Sequence, residues 1–470
     1  MLRLHNPPPP GKELLLKRKW PQSKSLQPKE NLPVKLDSPL FQGGVSAPII
    51  PDCSMNQTLE FLYSLRNQGS KFGIERMQEF CKRLQNPQFS FPSIHLAGTN
   101  GKGSVCTMLD SIYRAHGYKV GLFTSPHLIE LGERIRVNGK LLSFHQIEEW
   151  TDQLMPIFKT MKEKDPEMRP TFFELMTAIA FLEFKKQKVD LAIIETGLGG
   201  RLDSTNVLDP LISVITTVGY DHCEMLGDKL EQIASEKAGI IKTGKPVVVG
   251  WLKQAAREVV IERAAKLNSP IHLLDEEPGG RLPQTNLAGS FQRRNAALAQ
   301  KTVQLLSSTF PVDQPIIKKA LQNVTFPGRW QKISKAPTLI VDACHNGEGA
   351  DASLELWERL PSHAEVWFAA CGEERAEDVL TPLLQYVQKV TLFEIDQPRA
   401  CTHQVLQKKI KNFPGMVKLA QEKDIPQLHQ QLSPNSFVLI TGSIYLIASI
   451  LSFHQHAQKS KSSQSWQDLW

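Results

Sequence analysis

The sequence predicts a two-domain α/β protein: an N-terminal P-loop mononucleotide-binding domain followed by a smaller, Rossmann-like C-terminal domain. Three observations lead there. At 470 residues the chain is too long for a single hydrophobic core. Short, branched apolar runs alternate with helical patterns, as buried parallel strands do in α/β folds, and the alternation restarts after Pro337. Finally, an apolar run ends at Gly98 and leads into Gly98-Thr-Asn-Gly-Lys-Gly-Ser104, with a helical pattern behind it. Strand, glycine loop and helix make a phosphate cradle. The loop's backbone N–H groups point into one concavity, and the helix N-terminus adds partial positive charge. The usual signature is G-x-x-x-x-G-K-[ST]; here Gly103 separates Lys102 from Ser104.

Composition narrows the function classes. Hydrophobic residues make up 41% and charged residues 22%, ordinary values for a globular chain. The net charge of +7 suits anionic small molecules, and no arginine–aromatic interleaving argues for nucleic acid. The 7 cysteines are odd in number and form no C-x-x-C pair, which favours free thiols in a reducing compartment over disulfides or zinc. There is no apolar run of about 18 residues and no signal-peptide pattern. We therefore expect a cytoplasmic monomer with small-molecule partners and neither a nucleic-acid nor a membrane partner.

Residues 1–54 are rich in proline, lysine and serine and carry no period, so they read as a disordered leader, with Met55 a candidate for the true start. Residues 55–332 form the first domain. Helical patterns lie near 55–63 and 77–84, then the glycine loop and its helix (Val105, Met108, Leu109, Ile112, Tyr113) ending at Gly117. Strands are predicted over 119–123, 189–194, 211–218 and 245–249, and helices over 144–162, 171–187, 291–306 and 316–321. The second domain, 337–455, has strands predicted at 338–341, 365–369, 390–395 and 437–440. Residues 456–470 read as a loose polar tail.

Polar groups follow the apolar runs directly: the glycine loop, Ser125, Glu195 and His222. In open α/β sheets ligands bind beyond the carboxyl ends of the strands. Each residue also has a plainer reading. Glu195 is either a solvated strand-end carboxylate or an oxygen ligand for Mg²⁺. Ser125 either joins that ion or is a turn serine before Pro126. His222 is either a packed histidine or a ligand. Lys237 falls on the apolar stripe of Leu230, Ile233, Ala234, Ala238 and Ile241. It either snorkels to water or is buried as a neutral amine, which can add CO₂ to become a carbamate. Arg329, after Pro-Gly, is a surface turn residue or a fork for phosphate. Asp342, His345 and Asn346 form a ligand-facing loop, or Asn346 simply caps a helix.

Seven segments, in order, resemble the signatures of one family. They are residues 98–104, Phe123-Thr-Ser-Pro-His127, Glu195-Thr-Gly-Leu-Gly-Gly-Arg-Leu-Asp-Ser-Thr-Asn206, Asp221-His222, Glu236-Lys-Ala-Gly-Ile240, Phe326-Pro-Gly-Arg329 and Thr441-Gly-Ser-Ile-Tyr445. The family is that of the folylpolyglutamate and dihydrofolate synthases, relatives of the Mur ligases, and the resemblance spans residues 61–450. It implies a Mur-ligase-like fold with an ATPase central domain. It implies that Gly98, Thr99, Asn100, Gly101, Lys102, Gly103 and Ser104 hold the phosphates of ATP, and that Asn295, Arg329, Asp342 and His345 also contact the nucleotide. Ser125 and Glu195 would ligate one Mg²⁺, and His222 with carbamylated Lys237 a second. Thr124, Pro126, His127 and Phe173 would lie near the pterin-bearing substrate, and Lys102, Lys237, His222 and His345 would take part in catalysis. The chain departs from the family in reading Asp342-Ala-Cys-His-Asn-Gly347 for Asp-Gly-Ala-His-Asn-Pro, and in lacking a lysine–aspartate pair after Cys371.

The implied reaction is ATP-dependent addition of L-glutamate to dihydropteroate, to the glutamate tail of folates, or to both, through an acyl phosphate. Two rivals are a Mur-type cell-wall peptide ligase and a nucleotide-binding protein that has lost catalysis.

Overall fold

The computed structural model describes residues 53–66, 73–274 and 282–461. Of the leader read at 1–54, residues 1–52 lie outside the described residues, as does the end of the tail, 462–470; residues 53 and 54 instead open the helix Cys53–Arg66.

The first sheet is built from β1 (Ser93–Ala97), β2 (Val120–Phe123), β3 (Ile135–Val137), β4 (Lys140–Leu141), β5 (Leu191–Glu195), β6 (Ile212–Ile215), β7 (Val247–Val249) and β8 (Ile271–Leu273). Its order is β4-β3-β2-β5-β1-β6-β7-β8. All neighbours are parallel except the β2-β3-β4 edge, which is antiparallel. The strands are apolar throughout because both faces are covered. Leu191 and Ile193 face one core, with Val105 and Leu109 of the helix Lys102–Ala115. Ala192 and Ile194 face the other, with Ile179 and Phe184 of the helix Phe172–Gln187. From central β1 the chain moves outward to β2, then returns through β5 and crosses to β6. Such a reversal opens a crevice at the strands' carboxyl ends.

The second sheet contains β9 (Gln331–Lys335), β10 (Thr338–Asp342), β11 (Glu365–Phe368), β12 (Lys389–Glu394), β13 (Met416–Gln421) and β14 (Phe437–Thr441). Its order is β13-β12-β11-β14-β10-β9, parallel except for β9. It too has a core on each face, with Val366 and Phe368 on one and Trp367 and Val341 on the other.

Three features differ from the sequence reading. The second sheet begins ahead of Pro337, with β9 folding back on β10; β9 carries only Ile333 as an apolar residue, so it has no apolar run to see. The helix Ile444–Lys461 runs through the first part of the stretch read as a loose tail. β3, β4, β8 and β13 were not predicted as strands either. Among the described residues no helix is long and apolar enough to cross a membrane, and Cys81, Cys106, Cys223, Cys344, Cys371 and Cys401 are free thiols.

Candidate functional site

The glycine loop closes β1 onto the helix Lys102–Ala115. Gly101 takes φ +85°, a conformation that side chains rarely adopt, and turns the chain into the helix. At Gly98 a Cβ would lie 1.9 Å from Thr216 Oγ1, so only glycine lets the loop rest on the segment after β6. Lys102 Nζ donates to the carbonyls of Gly98 (2.8 Å) and Thr99 (3.2 Å). Its ammonium is thereby held over the loop.

Glu195 closes β5 and is only 3% exposed. Its Oε2 accepts a hydrogen bond from Ser125 N at 3.1 Å, which joins the segments after β2 and β5. Burial raises its carboxyl to about 7, opposed by the charge of Lys102, the Ser125 N–H and Arg329. The loop after β5 is folded around Asp203, which accepts from Leu198 N (2.8 Å), Thr205 N (3.0 Å) and Thr205 Oγ1 (2.6 Å). Asn206 Nδ2 then donates to the carbonyls of Arg201 (3.0 Å) and Gly239 (3.1 Å), fastening that loop beside the helix Leu230–Ala238.

That helix carries Lys237, which is also 3% exposed, so the buried alternative holds. Burial, and then the charge of Lys102, lowers its ammonium to about 7. A substantial fraction is therefore neutral amine at neutral pH. His222 sits at φ +54° at the start of a one-turn helix. Burial lowers its imidazole, with Asp221 opposing. His345 Nδ1 lies 2.8 Å from Ala343 O, and burial lowers its imidazole as well. A neutral ring so placed donates Nδ1–H to the carbonyl and presents Nε2 as an acceptor.

These groups line a cavity of about 480 Å³, with the glycine loop, Phe172, Phe173, Glu174 and Arg134 on its walls. A second cavity of about 290 Å³ adjoins it. Thr124, Arg136, Cys371, Arg375, Ser443 and Tyr445 line the second. Ser125, Pro126, Glu195, His222, Arg329 and His345 border both. Phe173 packs on Gly197, where a Cβ would fall 2.5 Å from its ring. Its helix is fixed by a reciprocal cap: Thr171 N donates to Glu174 Oε2 (2.7 Å) and Glu174 N to Thr171 Oγ1 (3.3 Å). Glu174 is also paired with buried Arg76, at 3.2 Å.

Residues 96–309 match the Mur ligase middle domain, and residues 328–444 the Mur ligase glutamate ligase domain. The chain is 34% identical over 415 residues to the dihydrofolate synthase/folylpolyglutamate synthase of Bacillus subtilis, covering 81% of this chain and 95% of that one. The chain belongs to this family. Escherichia coli FolC, solved in complex with DHPP and ADP, superposes with a TM-score of 0.75 at 26% identity, over 86% of this chain and 98% of that one. The bifunctional folylpolyglutamate synthase/dihydrofolate synthase of Yersinia pestis, solved with AMPPNP and a Mn ion, gives 0.73 at 27%, over 85% and 98%.

As a member of the dihydrofolate synthase/folylpolyglutamate synthase family, the chain has a donor set that fits a divalent cation bound with a nucleotide. Among the described residues no three His, Cys, Asp or Glu side chains gather into a metal cluster. Mg²⁺ bound through one or two carboxylates, substrate phosphates and water needs no such cluster. Ser125, whose backbone N–H meets the Glu195 carboxylate poised near 7, and a neutral imidazole in the same cavity as an amine poised near 7, supply suitable chemistry.

Three predicted residues do not line the cavities. Asn295 is buried against Gly101, where a Cβ would meet its Oδ1 at 2.6 Å. Asp342 is buried and accepts a hydrogen bond from Trp330 N at 3.3 Å. His127 Nδ1 accepts from Arg134 Nε at 2.9 Å, so it backs an arginine of the wall. Asn346 does cap a helix, accepting from Gly349 N at 2.9 Å, and it also reaches the first sheet's loops. Sequence reasoning missed Arg134, Arg136, Arg375 and Glu348. All lie outside the signature segments.

Proposed function

We propose that this chain is an ATP-dependent ligase that adds L-glutamate to dihydropteroate, to the glutamate tail of folates, or to both, forming an acyl phosphate on the way. The supporting observation is the convergence, on one cavity of about 480 Å³, of the glycine loop, Glu195, His222 and the buried Lys237. In this reading Gly98 to Ser104 cradle the phosphates of ATP, and Lys102 exchanges its loop carbonyls for phosphate oxygens. Arg329 and His345, which line the cavity, contact the remainder of the nucleotide, while Asn295 and Asp342, buried behind it, support the glycine loop and the turn at Trp330. Ser125 and Glu195 would hold one divalent ion, His222 and carbamylated Lys237 another; when bound, these ions neutralise phosphate charge. The carbamate forms when the neutral Lys237 amine bonds to CO₂ and releases a proton to solvent.

Thr124, Pro126 and Phe173 provide the side that receives the pterin, with the Phe173 ring as an apolar platform and His127 behind Arg134. The acceptor carboxylate attacks the γ-phosphorus and ADP leaves. Both reactants are anions, so Arg136, Arg329 and Arg399 of the second cavity act chiefly by positioning and by cancelling charge. The amine of glutamate then attacks the acyl carbon and phosphate departs. His345, with Nδ1–H committed to Ala343, has Nε2 available to accept the ammonium proton. The enclosing second sheet keeps water from the acyl phosphate.

The test is ADP release by the full-length protein. It should require both L-glutamate and an acceptor, and dihydropteroate compared with tetrahydrofolate tells which activity is present. ADP release that needs neither acceptor nor glutamate would sink the reading. A protein that had lost catalysis would bind ATP and release no ADP.

A further inference from the structure

The two sheets meet over the cleft through a small set of polar side chains. Both oxygens of Asp221, a first-sheet residue, are held by second-sheet residues. Arg375 Nη2 reaches Oδ1 at 2.6 Å, and Asn346 Nδ2 reaches Oδ2 at 3.1 Å. Arg375 comes from the helix Glu373–Leu383, and Asn346 starts the helix Gly347–Trp357. Asn346 also exchanges hydrogen bonds with Asn100 of the glycine loop, at 3.1 and 3.2 Å. Glu348 adds weaker contacts to Asn100 (3.3 Å) and Thr217 (3.4 Å).

The placement matters more than the number of contacts. Asp221 immediately precedes His222, whose backbone is held at φ +54°. Left-handed backbone at a non-glycine residue is strained and persists only where its surroundings impose it. The Asp221 side chain is 12% exposed and that of Arg375 26%. Most of this ion pair is shielded from water, and removing one partner strands the other charge.

We propose that Arg375 is a positioning residue for the ligase reaction: by gripping Asp221 from the second sheet it holds His222 in its working conformation, so the site is complete only when the two sheets are docked. The inference rests on the ligase reading above. Arg375 touches no reacting atom in this account; it acts through Asp221. Asn346 is its partner in the grip, and through Asn100 the same grip reports on the glycine loop. Binding of ATP to the first sheet and assembly of the catalytic group on that sheet are thereby separable. The first needs the glycine loop; the second needs Arg375.

The experiment measures ADP release and equilibrium ATP binding on the full-length protein, with dihydropteroate and L-glutamate. Wild-type protein releasing no ADP would defeat the ligase reading itself, independently of Arg375. With wild type active, Arg375→Ala should lower kcat by roughly 10–100-fold, the usual effect of losing a group that orients a metal ligand. ATP affinity should change by less than about threefold, since every contact named here is to protein. Arg375→Lys should recover most of the rate, because the grip uses a single Nη2–Oδ1 contact. Asn346→Asp keeps the helix cap but sets a carboxylate against Asp221, and it should reproduce the kcat loss in protein that circular dichroism shows to be folded. Wild-type kcat in Arg375→Ala or Asn346→Asp overturns the proposal. So does weakened ATP binding at unchanged kcat, which would make Arg375 a ligand contact, and so does Arg375→Lys being as slow as Arg375→Ala.

Discussion

On the first sheet's side of the cleft the ionisable groups are buried and undecided. Burial pushes the Glu195 carboxyl up and the Lys237 ammonium down, and both arrive at about 7. On the second sheet's side stand Arg329, partly buried, and Arg399, exposed. Arginine stays protonated at any working pH. One side thus takes its charge state from whatever binds, and the other presents a fixed positive field. The contrast suits a reaction between two anions, where one wall must coordinate and the other must neutralise.

Breaking the first side should have the largest effect. Lys237→Ala should reduce ADP release by about 10³-fold, the several kcal/mol a catalytic metal contributes, while Lys237→Glu, with a carboxylate in place of the carbamate, retains part of it. Wild-type rates for Lys237→Ala would remove the coordinating role. Glu195→Gln keeps shape but not charge; a loss of roughly 10–100-fold and a higher Mg²⁺ requirement are expected, read from rate against Mg²⁺ concentration.

The second side is sharpened by Arg329→Lys, which keeps the charge and discards the planar fork. If geometry matters as well as field, the KM for ATP should rise about tenfold. Phe173→Ala lies between the two sides. It should raise the KM of the pterin acceptor about tenfold, the value of one buried aromatic face, with KM for ATP unmoved.

The smallest effect on activity is a pH dependence of stability. His95, fully buried on β1 with Nε2 2.8 Å from Thr205 Oγ1, is pushed by burial to about 3. An unfolded histidine titrates near 6.5. Its folded value is depressed, so stability is complete above about pH 6.5 and falls as pH drops towards 3, by up to about 1.4 kcal/mol per pH unit. Urea midpoints at pH 8, 6 and 4 measure this, and His95→Gln should flatten the trend.

The same contrast explains what could be read in the sequence. First-sheet chemistry follows strand ends, so an apolar run stopping at Glu195 or at Gly98 announces both strand and site. The grip on Asp221 could not be read that way. Arg375 lies 154 positions from Asp221, and Glu348 lies 248 from Asn100; only folding makes them neighbours. Three of the strands that escaped notice share one cause. β8 is three residues long and only partly buried, β9 is mostly polar, and β13 is an edge strand that leaves Met416, Val417 and Leu419 exposed. None offers the uninterrupted apolar run of a strand covered on both faces. Lys237 was legible as a lysine on an apolar stripe, but its burial, at 3% exposure, shows only in the fold.

The contact of Lys102 with the carbonyls of Gly98 and Thr99 has a consequence for how the loop discriminates. An ammonium in open water must shed a tight hydration shell before it can bind phosphate. Here two peptide oxygens already stand in for part of that shell, so exchange for phosphate oxygens swaps one set of acceptors for a more negative set. A neutral or singly charged ligand has little to offer in such an exchange. Under the proposed ligase reading, the loop would therefore favour a triphosphate over a weakly charged metabolite.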